Sequence, residues 1–199
     1  DPAGTGPHPA LANAAGPHIV FTGQMDYAPN VAAVERAAQH ILPRIRRHHP
    51  GATFHVVGRA PTAEVRALDR NAGVRVWGEV PDVRPFLAAA DLVLVPLAIA
   101  RGIQNKVLEA MAMARPVVLT PEAATGIEAE DGAHFAVAGD DAALAHRALA
   151  LLGDACAARA MGEAARAFVQ AEQGWAAMLS PLPAILGAGE PAGRQRDAA

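Results

Sequence analysis

The sequence predicts an α/β fold: a doubly wound parallel sheet of the Rossmann-like kind. Three observations point there. Short apolar runs alternate with stretches in which apolar residues recur at helical spacing, the signature of strands separated by crossover helices. The runs are apolar at consecutive positions, as in Leu92-Val93-Leu94-Val95, which fits strands buried on both faces. And 199 residues, with 52% hydrophobic and only 19% charged, suffice to bury one core in a single domain of roughly 170 residues.

Taken in order, residues 1–17 are rich in Pro, Gly and Ala without a period, and read as a linker. The domain is expected over 18–187, with a polar tail at 188–199. His18 to Thr22 is the first strand, ending at Gly23. A loop through Asn30 leads into a long helix, Val31 to about His48, whose buried stripe is Val31, Val34, Ala38, Ile41, Leu42 and Ile45; Pro43 should bend or loosen it. Thr53 to Val57 is the second strand, Ala63 to Ala72 a short helix, and Val74 to Trp77 the third strand. Asp82 is placed to cap a helix over Val83 to Ala89. Leu92 to Val95 and Val117 to Leu119 are strands four and five, joined by a helix that begins near Ile103 to Asn105 and ends at Arg115-Pro116. His134 to Ala138 supplies a short sixth strand. Helices follow over Ala142 to Leu152, capped by Gly139-Asp140-Asp141, over Ala157 to Gln170, and around Gly174 to Leu186.

Several function classes are excluded by what is missing. GxGxxG is absent after the first strand, where the chain reads GQMDYAPN, and there is no Walker phosphate loop. Ser180 is the only serine, so a serine triad lacks its nucleophile. A net charge of −3 without a basic face argues against nucleic acid as partner. Cys156 stands alone, and His40 and His55 have no acidic or Cys partners at ligand spacing, so no metal is expected. His48-His49 suits a cationic helix end. The longest apolar runs are too short to span a membrane, and no signal peptide opens the chain. A cytoplasmic setting is expected, at the inner face of the plasma membrane if the full-length protein touches it. The start, Asp1-Pro2-Ala3-Gly4, lacks Met and suggests a piece of something larger.

Ligands of such sheets bind beyond the carboxyl ends of the strands. That selects the loops Gly23 to Asn30, Gly58 to Pro61, Gly78 to Asp82 and Leu97 to Asn105, where the only acids are Asp26, Glu79 and Asp82. Such a crevice suits an anion. In the last of these loops a helix start offers unpaired N–H groups and a partial positive charge, which attract a phosphate. Lys106 adds a full charge there. It is the one lysine among 17 cationic residues, and a compact ammonium does not substitute for a guanidinium. Glu109, nearly one turn on, can accept hydrogen bonds from the paired hydroxyls of a sugar. Asn105 reads either as a cap or as a ligand contact, and Arg101 as a surface cation or a ligand contact. Met111 is expected in the core and Met113 on the surface. Gly126, in the loop Thr120 to Ile127, borders the same crevice.

The run Val107-Leu108-Glu109-Ala110-Met111-Ala112 followed by Arg115-Pro116-Val117-Val118 resembles the C-terminal, nucleotide-sugar-binding domain of GT-B glycosyltransferases, in the retaining group called glycosyltransferase family 4. Phe21-Thr22-Gly23, Pro29-Asn30, Val56-Val57-Gly58, Val76 to Val83 and Ala90 to Pro96 extend the likeness from Ile19 to about Leu186, where Trp175 matches a Trp of the family's terminal helix. Met25 to Asn30 and Arg101 to Lys106 are similar to a subgroup tied to bacterial exopolysaccharide loci.

The resemblance implies a donor diphosphate at the helix start of Lys106, Gly102, Ile103, Gln104 and Asn105. It implies a donor ribose on Glu109, the second Glu of the family's E-x7-E motif. The nucleotide base would lie against the loop containing Val80 and Val83. Two departures stand out. Arg101 replaces the first Glu of the motif, and Gln24 and Asn30 replace the cations usual after the first strand, near Gly23; Arg59, Arg101 and Lys106 compensate in charge. The implied activity is sugar transfer from a nucleotide-diphosphate sugar, without cofactor or metal, to a glycan or lipid-linked acceptor held by a separate N-terminal domain. A sugar-nucleotide epimerase of the same architecture, or a degenerate domain that only binds, are the alternatives.

Overall fold

In a computed structural model, residues 4–172 are described. They form one sheet of six parallel strands: β1 (His18–Thr22), β2 (Thr53–Val57), β3 (Val74–Gly78), β4 (Leu92–Val95), β5 (Val117–Leu119) and β6 (Ala136–Val137), in the order β3-β2-β1-β4-β5-β6. The helices are α1 (Pro9–Ala12), α2 (Ala28–Arg36), α3 (Leu42–Arg46), α4 (Ala63–Ala67), α5 (Arg84–Ala89), α6 (Asn105–Ala112), α7 (Pro121–Ala124), α8 (Asp141–Gly153) and α9 (Ala155–Glu172). Every residue of β1, β4 and β5 is buried, as expected where helices cover both faces of a parallel sheet. The edge strand β3 is buried only at Val74. The expected helix over Gly174 to Leu186, with Trp175, lies outside the described residues.

The differences from expectation have local causes. The long helix starts earlier, at Ala28, because Pro29 in its first turn needs no hydrogen bond there. It is then split by a π-turn over Ala37–Ile41, in which the Leu42 N–H reaches back to the Ala37 carbonyl. Pro43, which lacks an N–H and crowds the preceding turn, accounts for that widening. The helix after β2 tightens into a 3-10 turn at Leu68–Arg70 instead of running to Ala72. Val83, not Asp82, occupies the cap position of α5; Asp82 instead accepts from the Arg84 N–H at 2.9 Å and pairs with its guanidinium. β6 keeps only Ala136–Val137 of the five residues His134 to Ala138. Asp140 caps α8 as expected, accepting from Ala143 N–H. Met113 is buried, not at the surface, in the turn that follows α6.

The stretch read as linker is attached to the domain. Leu11 of α1 is 2% exposed, the His8 N–H donates to the Pro85 carbonyl, and the His8 ring stacks on Phe86 at 4.3 Å. A buried polar chain lies beneath it. The Trp77 indole can only donate, and its N–H meets His55 Nδ1 at 3.1 Å. His55 Nε2 must then carry the proton and donate to His18 Nδ1 at 3.0 Å, leaving His18 Nε2–H for the Ala14 carbonyl. A proton added to His55 Nδ1 would face the indole N–H. Burial, then the neighbouring His18, Arg75 and His8, push the His55 pKa down to about 4.

The sign follows directly. The unfolded chain takes up this proton near the ordinary value of 6.5, the folded one only near 4, so stability falls as pH drops through that window. Denaturant unfolding is expected to lose about 2 kcal/mol between neutral pH and about pH 4.5. His55→Gln, which can still accept from Trp77 and donate to His18, should flatten that slope; an unchanged slope in the variant would remove His55 as its source.

Candidate donor crevice

At the carboxyl edge of the sheet a crevice of about 580 Å³ opens between β1 and β4. All four loops selected by the strand-end rule line it. Gly23, Gln24, Tyr27 and Asn30 come from the loop and helix start after β1; Gly58 and Arg59 follow β2; Glu79, Val80 and Val83 follow β3; Arg101, Ile103, Gln104, Asn105, Lys106 and Glu109 follow β4. Of the residues expected to form the site, Gly102 alone does not line the crevice, and its carbonyl instead accepts from Gln104 Nε2 at 3.0 Å.

The floor is a backbone contact. Gly23 N–H donates to the Val57 carbonyl at 3.1 Å and Gly58 N–H to the Gly78 carbonyl at 2.9 Å. At Gly58, with φ +152, a Cβ would stand 1.6 Å from the Gly23 carbonyl oxygen. Only a residue without a side chain lets the ends of β1 and β2 approach this closely.

Above that floor stands Lys106. α6 begins with Gln104 at the cap position and no side chain capping it, so its first N–H groups remain open beside the crevice. Asn105 therefore is not the cap. Val107, Ala110 and Met111 bury one face of the helix and turn Lys106 and Glu109 toward the crevice. The Lys106 ammonium donates to Asn30 Oδ1 and lies 4.3 Å above the centre of the Phe21 ring. Burial pushes its pKa down to about 8, with Glu109 opposing. Glu109 opens to solvent at the crevice mouth, yet the walls crowd its carboxyl and raise its pKa, with Lys106 opposing. Arg59 reaches over from β2, its Nη2 donating to Gln24 Oε1 at 2.8 Å. The exposed guanidinium of Arg101 stands on the opposite lip.

The sequence placed Tyr27, Gly58 and Glu79 in the crevice loops without giving them a role, and missed Thr22 as a wall residue and Asn30 as the partner of Lys106. The Thr22 hydroxyl is buried without a partner among the described residues, which no sequence pattern signals. Gly126 does not itself line the crevice but packs behind its wall, where a Cβ would lie 3.0 Å from Ile103 Cγ1. The Thr120 to Ile127 segment is more than a turn: the buried Thr120 hydroxyl donates to the Leu97 carbonyl at 2.6 Å and accepts from Ala123 N–H, starting α7.

A larger cavity, about 770 Å³, lies at the opposite, amino ends of the strands. Two of its ionic groups are engaged in the fold, while Arg159 at its rim is exposed. Asp91 accepts from His18 N–H at 2.7 Å, and Arg115 donates to the Met113 and Ala90 carbonyls. The carboxyl-edge crevice is the one in which cations from several loops, unpaired among the described residues, meet an open helix start. Among the described residues no three His, Cys, Asp or Glu side chains cluster to hold a metal, and no helix is long and apolar enough to cross a membrane.

A family model described as glycosyl transferases group 1 matches residues 16–154, which include the whole crevice. The chain belongs to this family. Among solved structures, the C-terminal domain of the group 1 glycosyltransferase LpcC from Francisella tularensis is similar over 87% of this chain and 97% of its own, at 16% identity and a TM-score of 0.64. Anabaena HepE, solved with UDP and glucose, aligns over 90% of this chain and 50% of its own, at 16% identity and a TM-score of 0.67. Sucrose-phosphate synthase from Thermosynechococcus elongatus gives 20% identity, 93% and 50% coverage, and a TM-score of 0.67. The chain thus spans half the length of these last two proteins and has the fold of the C-terminal GT-B domain. No curated protein sequence matches it.

The backbone contact under the crevice makes a sharp expectation. Gly58→Ala should cost about 2–4 kcal/mol in urea unfolding, because the new methyl meets backbone that has no rotamer to give. Gly102→Ala, at φ +67 with open space around it, should cost only about 1 kcal/mol of backbone strain. Equal losses would show that the Gly23–Gly58 approach is not what requires glycine.

Proposed function

We propose that this group 1 glycosyltransferase domain binds the nucleotide-diphosphate sugar of a retaining, metal-independent enzyme. The full protein would transfer the sugar to a glycan or lipid-linked acceptor, with exopolysaccharide synthesis as the pathway and the cytoplasmic face of the membrane as the setting. The acceptor site and most catalytic groups would belong to an N-terminal domain. The observation that carries this reading is the convergence of Lys106, Arg59, Arg101 and the open start of α6 on one glycine-floored crevice at the point where the strand order reverses. Positive charge there is not cancelled by a paired acid, which favours a diphosphate.

In this reading Lys106 and the helix start meet the diphosphate and stabilise its charge as it departs. Glu109 accepts from the ribose hydroxyls. Gly23 and Gln24, with Arg59, border the phosphates; Ile103, Gln104 and Asn105 form the wall beside them; Val80 and Val83 receive the base. Arg101, where the family's first motif Glu would place the transferred sugar, acts on the distal phosphate instead. The fold likeness to HepE, solved with UDP and glucose, makes UDP the first nucleotide to try.

A rough sum limits the affinity. A helix start contributes roughly 0.3–1 kcal/mol toward an anion, and charge-assisted hydrogen bonds at Lys106 and Glu109 about 1.5–3 kcal/mol each before ordering costs. Those terms total at most about 7 kcal/mol, so after ordering costs the dissociation constant should be no tighter than about 10 μM.

Calorimetric or NMR titration with UDP, GDP and ADP tests this. One of the three should saturate, and Lys106→Ala and Glu109→Ala should each weaken it about tenfold. The free ammonium titrates near 8 and an anion raises that value, so affinity should hold below pH 8 and fall above it. No binding of any of the three up to several millimolar, by this chain and by the full-length protein, would end the donor-site reading. Sugar-nucleotide product formed without an acceptor would favour an epimerase.

A further inference from the structure

The ammonium of the one lysine in this chain is received by a neutral group. Asn30 is 6% exposed and its amide is held at both ends. Its Nδ2 donates to the Gln24 carbonyl at 2.9 Å, which commits the amino end and turns Oδ1 toward Lys106 Nζ. The Phe21 ring closes a second side of the ammonium at 4.3 Å, and a Cβ on Gly23 would stand 3.0 Å from Nζ on a third. No described carboxylate forms an ion pair with Lys106 within 4.0 Å.

We infer that Asn30 is a positioning residue, which aims the Lys106 ammonium into the crevice while leaving its charge free for a diphosphate anion. The inference rests on the nucleotide-sugar reading above and deepens it. A carboxylate at this position would hold the ammonium more tightly but cancel its charge and repel phosphate oxygens. An apolar residue would leave a four-carbon stem free to turn its head to water. A doubly anchored amide does neither. Burial holds the Lys106 pKa down, and Glu109, which opposes, does not pair with it, so the ammonium has a dipole and a ring beside it but no ion-paired acid. The other charged or titratable groups facing the crevice are Glu109 on the same helix, Arg101 before it, Arg59 after β2, Glu79 after β3 and Tyr27 before α2. Asn30 differs from all of them in touching Nζ.

The lone lysine makes the test direct. The full chain grown with ¹³C,¹⁵N-lysine gives one side-chain signal, whose pH midpoint reports Lys106 without any ligand. Asn30→Asp should raise the midpoint by at least about one unit, and Asn30→Ser, a smaller neutral acceptor, should leave it within about half a unit. UDP affinity should run wild type, then Asn30→Ala, then Asn30→Asp, with the last weakened about tenfold or more. Amide spectra check that each variant folds, and the serine variant carries the test if the aspartate disturbs the loop. An unmoved midpoint in Asn30→Asp, a serine variant shifted as far as the aspartate, or an aspartate variant that binds UDP better than the alanine one would each overturn the role. If the wild type does not bind UDP, the function proposed above fails and the lysine midpoints alone decide on Asn30.

Discussion

The constraint on which the structure depends is that β1 pairs on both sides, with β2 on one edge and β4 on the other, all three parallel. The chain must therefore leave the sheet toward opposite faces at the carboxyl ends of β1 and β4. Nothing packs between the two departures, and the crevice is the space they leave. The Gly23–Gly58 approach sets its floor, because two strand ends meet there without side chains between them. The Arg36 side chain secures the other half. It pairs with Asp141 at 2.5 Å and donates to the carbonyls of Pro96 and Gly139, tying the exit of β4 to α2 and α8.

On that frame the electrostatics of Lys106 have a cost. Moving a pKa from 10.5 to about 8 means the folded state resists the charged form. At roughly 1.4 kcal/mol per unit, and discounted for solvent at the crevice mouth, that is on the order of 2 kcal/mol. The core beneath offsets it: Phe21, Ile19, Val93 and Leu94 are at most 1% exposed. The position is thus one where stability is traded for an unneutralised charge. That pattern is expected of binding sites, where local rules yield to the ligand.

What was readable in the sequence follows from physics of short range. Leu92–Val95 and Val117–Leu119 were placed to the residue because an apolar run between turn residues can only be a strand in this context. The helix start near Asn105 and the placement of Lys106 and Glu109 at the crevice were legible because charge and helical spacing both act within a turn. The π-turn was foreshadowed by Pro43, but its register was not, since a proline says that a helix must loosen and not where. Asn30 is separated from Lys106 by 76 positions and Gln24 from Arg59 by 35. Pairings of that kind arise only when the sheet has brought loops together. The packing of His8 and Leu11 was hidden for a related reason: a Pro, Gly and Ala-rich composition carries no period, so one turn of helix under an aromatic cluster leaves no trace in it.

The same distances explain how the departures from the family's pattern fit one site. A cation lost from the loop after β1 need not return to that loop, because the crevice is built from four loops and any of them can bring a cation to it. Arg59 enters from β2 and is steadied by Gln24, the very residue that stands where a cation would be. Asn30, the other neutral replacement, does not restore charge either; it orients the charge that α6 supplies. Each neutral side chain thus meets a cation from a different element, and neither cancels its charge. Both contacts join residues from different loops, across 35 and 76 positions, and both leave a cation's charge unpaired within the crevice.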